Sequence, residues 1–98
     1  MKQHRYNLRL ENLSTPKGES LDYAPLDLEF GNHDDIFQII EKIRGRGDLD
    51  ENGATAFAIG LKLFGEVMLE NKEHPLFSSF RPEFRKFMRQ LKAGPEQA

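Results

Sequence analysis

Asp50-Glu51-Asn52-Gly53-Ala54-Thr55-Ala56-Phe57-Ala58-Ile59-Gly60-Leu61-Lys62-Leu63-Phe64-Gly65-Glu66-Val67-Met68-Leu69-Glu70-Asn71 contains no proline, and its polar residues recur at helical spacing. Wound at about 100° per residue, Glu51, Thr55, Lys62, Glu66 and Glu70 fall on one narrow stripe, interrupted by Ile59. Nearly everything else is apolar or small, an arc of roughly two thirds of the circumference. A helix lying on a protein surface needs much less, so this one is expected to be covered on two sides. Gly60 and Gly65 weaken a helix interior, and close approach of a neighbouring backbone is the expected reason for both. Asp48 and Glu51 have capping-box spacing, with Asp50 as the competing cap.

Covering elements are legible on both sides of this helix. Upstream, Ile36, Ile39, Ile40 and Ile43 recur at helical spacing, with Phe37 at the stripe's edge. Asn32 is the expected N-cap, Asp34 and Asp35 suit the first turn, and Gly45 supplies the stop. The reading is a helix from about His33 to Arg44. Downstream, His74-Pro75-Leu76-Phe77 reads as a turn or one short helical turn. A last helix is expected from about Pro82 to Lys92, since proline suits the first helical position. Phe80, Phe84, Phe87, Met88 and Leu91 form its inward stripe, with Arg81, Arg85, Arg89 and Lys92 on the other side.

Ahead of the helices the period changes to two. Tyr6, Leu8 and Leu10 alternate with Arg5, Asn7, Arg9 and Glu11, which predicts a strand from about His4 to Leu13. After the turn-rich Ser14–Ser20 segment, Ala24, Leu26, Leu28 and Phe30 alternate with Pro25, Asp27 and Glu29. Together these make an antiparallel hairpin. Leu8 facing Leu28 sets Arg9 opposite Asp27, a favourable cross-strand pair. Pro25 cannot donate to a ladder, so one side of the second strand is expected to be free.

The fold class is therefore α+β: an antiparallel β-hairpin followed by three helices (ββααα), with the hairpin packed on the central apolar helix. At 98 residues with 38% hydrophobic and 31% charged side chains, the chain suits one domain over residues 1–93, followed by a frayed tail at 94–98. The net charge of −2 announces neither a nucleic-acid nor a membrane binder. There are no cysteines, which removes disulfides, thiolate metal sites and cysteine nucleophiles. No apolar run of signal-peptide type or membrane-spanning length occurs, and a cytoplasmic location is expected.

Few motifs carry chemistry. Asp48-Leu49-Asp50-Glu51-Asn52-Gly53 matches the first half of an EF-hand calcium loop, but Ile59 occupies the position where a bidentate Glu closes the coordination sphere. Capping is the favoured reading of those side chains. His33-Asp34-Asp35 would need further ligands, and only His4 and His74 remain as histidines, so no metal is assigned. Arg46-Gly47-Asp48, a tripeptide known for receptor attachment, reads as a plain connection between helices. No nucleophile with a base and no phosphate loop occurs, so no catalytic residue and no cofactor is assigned, and catalysis lacks support.

Charge is sorted along the chain. Residues 1–80 carry nine basic and fourteen acidic side chains, residues 81–98 five basic and two acidic. Arg81, Arg85, Lys86, Arg89 and Lys92 are thus the candidate interaction surface, suited to an acidic protein face. Nucleic acid is the weaker match, because the aromatics are needed for packing and the rest of the chain repels a polyanion.

Asn32-His33-Asp34-Asp35-Ile36-Phe37, Gly60-Leu61-Lys62-Leu63-Phe64-Gly65-Glu66-Val67-Met68-Leu69 and His74-Pro75-Leu76-Phe77, with the opening Met1-Lys2-Gln3-His4-Arg5-Tyr6, resemble the DUF3861 family. These are small bacterial proteins known as a domain of unknown function. The resemblance implies a stand-alone bacterial α+β protein and brings no catalytic residue, ligand or partner with it.

Three functions remain in view. The first is a non-enzymatic interaction module that forms a homodimer or binds a protein partner, through unpaired hairpin edges or the apolar remainder of the second helix. The second is a small-molecule binder with a pocket between hairpin and helices, lined by Tyr6, Phe30, Phe57, Phe64 and Phe84. The third is a weak nucleic-acid binder acting through the basic last helix.

Overall fold

The computed structural model describes residues 2–94. The chain divides into two compact units, with the boundary between Asp34 and Asp35. The α+β class and the order of a hairpin followed by helices are as the periodicities predict. Residues 95–98, the rest of the expected tail, lie outside the described residues.

The first unit is the hairpin. Strands β1 (His4–Leu10) and β2 (Leu26–Asn32) pair antiparallel, with Leu8 opposite Leu28 and Arg9 opposite Asp27. Because side chains alternate, Tyr6, Leu8 and Leu10 share a face with Phe30, Leu28 and Leu26. The Tyr6 and Phe30 rings lie 5.5 Å apart on it. The other face is polar, with Arg9 Nη1 3.6 Å from Asp27 and Arg5 Nη2 3.3 Å from Glu29. The strands differ from the expected bounds for a local reason. Pro25 has no N–H for the ladder, so β2 starts just after it and continues through Gly31 and Asn32, while β1 stops at Leu10 instead of Leu13.

That shift corrects the expected cap. Asn32 ends the strand rather than opening a helix. Its side chain is buried, and Oδ1 accepts from the Asp34 amide at 3.0 Å, a local turn. The Tyr6 hydroxyl donates to the Asp34 carbonyl at 3.1 Å. Asp35 is the cap instead, accepting from the amides of Phe37 at 3.1 Å and Gln38 at 3.4 Å. Helix α1 accordingly spans Ile36–Arg44, and its first turn contains no acidic residue.

The second unit holds α1, α2 (Glu51–Glu70), α3 (Pro75–Ser78) and α4 (Arg81–Ala93). The short turn expected at His74–Phe77 is α3, a single turn capped by His74 Nδ1, which accepts from the Leu76 amide at 3.2 Å. Between α1 and α2 the left-handed residue is Gly47, at φ 81°, whereas Gly45 stays in the right-handed region. Asp50 wins the contest for the α2 cap, accepting from the Gly53 amide at 2.6 Å. The Asp48/Glu51 capping box does not form, because Asp48 is bonded to Arg46.

Helices α1 and α2 pack together. Ile36, Ile40 and Ile43 are buried on α1, and Ala54 and Ala58 are fully buried on α2. Methyl side chains on one helix let the other bring its isoleucines close, at about 1.5–3 kcal/mol of transfer free energy per isoleucine. Arg44 clamps the same pair, donating from Nη2 to Thr55 Oγ1 at 3.0 Å. The α4 helix covers a second side of α2 through rings: Phe57 meets Phe87 edge-on at 6.0 Å and Phe64 meets Phe84 at 5.8 Å.

Two expectations about α2 need correction. Among the described residues no neighbouring backbone approaches Gly60 or Gly65: a Cβ built on Gly60 would meet nothing within 4 Å outside its own helix backbone, and one on Gly65 would meet the Phe84 ring at 4.0 Å. The cover is also incomplete: Val67 and Leu69 are exposed, and so is Phe64. Meanwhile Lys62 and Glu66, from the expected polar stripe, are half-buried.

Candidate interaction surface

The α4 helix presents two different faces. Arg85, Lys86, Arg89 and Lys92 are exposed and Arg81 is half-buried. Lys86 Nζ lies 3.4 Å from Glu83 one turn earlier, and both side chains are well exposed. The candidate surface residues therefore share one helix of the second unit, and cations at this exposure are weakly engaged.

The opposite face carries the phenylalanines. The expected inward stripe is only partly inward: Phe84, Met88 and Leu91 are half-buried, but Phe80 is 43% and Phe87 40% exposed, as is Phe64 of α2 at 40%. Phe64 touches the rings of Phe77, Phe80 and Phe84 at 6.2, 6.1 and 5.8 Å, so these rings form one cluster whose outer side is open. A groove of about 600 Å³ runs along it between α2 and α4, with Gly60 and Leu61 on one wall and Glu83, Lys86 and Gln90 on the other. Exposed aromatic rings flanked by charges are the composition that protein interfaces favour.

A second hollow of about 670 Å³ adjoins the first, sharing Phe57, Phe87 and Gln90. Arg46 lines it, with a side chain that is mostly buried. Arg46 Nε and Nη2 donate to the two carboxylate oxygens of Asp48 at 3.2 and 2.8 Å. Nη1 donates to the Leu91 carbonyl on α4 at 2.8 Å. The Arg46 hydrogen bonds hold the Asp48 carboxyl below the usual carboxylate range, helped by the guanidinium charge. Sequence reasoning missed this clamp because its two ends lie 45 residues apart.

The two carboxylates of the calcium half-motif are engaged elsewhere. Asp48 is held by Arg46 and Asp50 by the Gly53 amide. Among the described residues no three His, Asp or Glu side chains come together as ligands. Of the aromatics expected to line one pocket, Tyr6 and Phe30 pair within the first unit, while Phe57, Phe64 and Phe84 gather in the second. No helix among the described residues is long and apolar enough to cross a membrane.

No curated protein matches the chain. The crystal structure of a protein of unknown function from Pectobacterium atrosepticum SCRI1043 is similar, with 38% identity and a TM-score of 0.82. The similarity covers 94% of this chain and 99% of that one. The family model of DUF3861, a domain of unknown function with a solved structure, matches residues 4–93, and the chain belongs to that family.

Proposed function

We propose that this protein is a non-enzymatic interaction module of the bacterial cytoplasm that works by self-association. One observation carries the reading: the phenylalanine cluster between α2 and α4 keeps its outer side exposed at Phe64, Phe80 and Phe87. Water-exposed rings at that density are stabilised by a covering surface. The hairpin edges are a poorer route than the free backbone suggests. On the polar face β1 carries Arg5 and Arg9 and β2 carries Asp27 and Glu29. Pairing β1 over its full length with its own copy sets Arg5 against Arg9, and like charges directly opposite are destabilising. The candidate basic residues Arg85, Lys86, Arg89 and Lys92 are exposed on the same helix, with Arg81 half-buried beside them, and suit an acidic protein partner. Sedimentation across a wide concentration range tests the reading: a mass that grows toward twice 11.3 kDa supports it, and a strictly monomeric mass overturns it.

A small-molecule role is the second reading, favoured by the hollow beside Arg46. Its size falls in the usual range for ligand pockets, and its walls include Leu49, Phe57, Phe87 and Leu91. A screen of apolar aromatic compounds by thermal shift tests it, since a ligand bound only by the folded state raises the midpoint.

A further inference from the structure

We propose that the α2–α4 groove is filled by the same groove of a second copy, with α4 antiparallel to α4 and each Phe87 seated over the other copy's Gly60. The inference rests on the self-association reading and names its surface. Its first support is Gly60. Glycine in mid-helix costs about 1 kcal/mol relative to alanine, yet among the described residues nothing beyond its own stretch of helix backbone lies within 4 Å of where its Cβ would be. Gly60 lines the groove beside Phe57, Leu61 and Phe64. It is therefore a notch among large side chains, opening outward. Phe87, on the opposite wall, is the matching projection. A two-fold axis makes each copy give one projection and one notch, the self-complementarity that such dimers require.

Charge supplies the second support. The α4 wall of the groove carries one carboxylate, Glu83, and one ammonium group, Lys86, a helical turn apart. With the axis beside Phe84 and Arg85, antiparallel helices set Glu83 of each copy against Lys86 of the other. Both charges find opposite partners twice over. An unrelated partner would have to reproduce that alternation, whereas a second copy has it already.

Gly60→Gln tests the notch. Within the chain the new Cβ meets open space and the substitution improves helix propensity, so at concentrations where the wild type is monomeric the unfolding midpoint should rise by about 2–5 °C. In the same variant the dimer dissociation constant should rise by at least about tenfold, because the projection no longer fits. Opposite signs on folding and association are what a merely structural glycine would not produce. Unchanged dimerisation in Gly60→Gln overturns the surface while leaving self-association standing. A wild-type protein that never associates overturns the reading beneath it.

Charge exchange tests the axis. Glu83→Lys alone and Lys86→Glu alone each place like charges across the interface, and each should weaken association by about 3- to 30-fold. Mixing the two variants restores both pairs, so the mixture should associate within about threefold of the wild type. Single variants that weaken association without recovery on mixing refute the antiparallel arrangement.

Discussion

The Arg46 guanidinium joins two elements that are remote in the chain: it grips Asp48 through Nε and Nη2 and reaches the Leu91 carbonyl at 2.8 Å with Nη1. The Leu91 carbonyl also accepts the Gly94 amide at 3.2 Å, at the end of α4. The α1–α2 connection and the last turn of α4 are thereby tied through one side chain. Replacing it by methionine keeps much of the apolar stem but removes the donors. Arg46→Met should cost about 1–2 kcal/mol in urea unfolding, the scale for a partly buried hydrogen bond to a charged group. Hydrogen exchange at the amides of the last turn of α4 should quicken in the same variant; unchanged exchange there would mean the tie is idle.

The same contact makes stability depend on pH in one direction. Asp48 has its carboxyl lowered in the folded state, first by the Arg46 hydrogen bond. A lowered acid binds its proton less readily when folded, so the unfolded chain takes up protons first as pH falls. The contribution is complete above the unfolded value of about 3.9 and is lost as pH drops through the lower folded one. The stability difference between wild type and Asp48→Asn should therefore be flat from neutrality to about pH 5 and shrink below about pH 4. A difference that widens on acidification would contradict the sign.

Helix α2 should respond to its cap at Asp50 and hardly to Asp48. Asp50 accepts from the Gly53 amide at 2.6 Å, whereas Asp48 faces Arg46. Asp50→Ala should cost about 1 kcal/mol. Adding millimolar calcium should leave the melting midpoint of the wild type unchanged, since both carboxylates of the half-motif are engaged and Ile59 stands at its closing position. A calcium-dependent rise of several degrees would restore the loop as a cation site.

How far these features could be read beforehand depended on their range. The hairpin was legible from its period of two, and the pairing of Leu8 with Leu28 that sets Arg9 opposite Asp27 is the one found. So long a connection does not fix that register by itself, since a slip of two residues also sets leucine against leucine. The breadth of apolar surface on α2 was equally plain, but not which part of it lies open. Exposure of Phe64 and Phe87 follows from where α4 crosses, and no local pattern states that. Caps were ambiguous for a different reason. Asn32, Asp34, Asp35, Asp48 and Asp50 are all competent side chains, and the backbone chose Asp35 and Asp50 only after Pro25 displaced β2 and Gly47 turned the connection. The Arg46 clamp, spanning distant segments, left no trace in spacing.

Core and surface positions of the helical unit should separate sharply under truncation. Ile43 on α1 is 4% exposed, in the layer that contains Ala54 and Ala58, and losing its branched side chain opens a void that small neighbours cannot close. Ile43→Ala should cost about 2–5 kcal/mol, enough to unfold much of a domain of this size near body temperature, while Ile43→Val should cost about 0.5–1.5 kcal/mol. Leu69, at 57% exposure on α2, should tolerate alanine within about 0.5 kcal/mol in the monomer. Urea titration of the three variants checks the order. A Leu69→Ala cost approaching that of Ile43→Ala, seen only at concentrations where the protein associates, would place Leu69 inside the contact between copies, beyond the groove centred on Gly60.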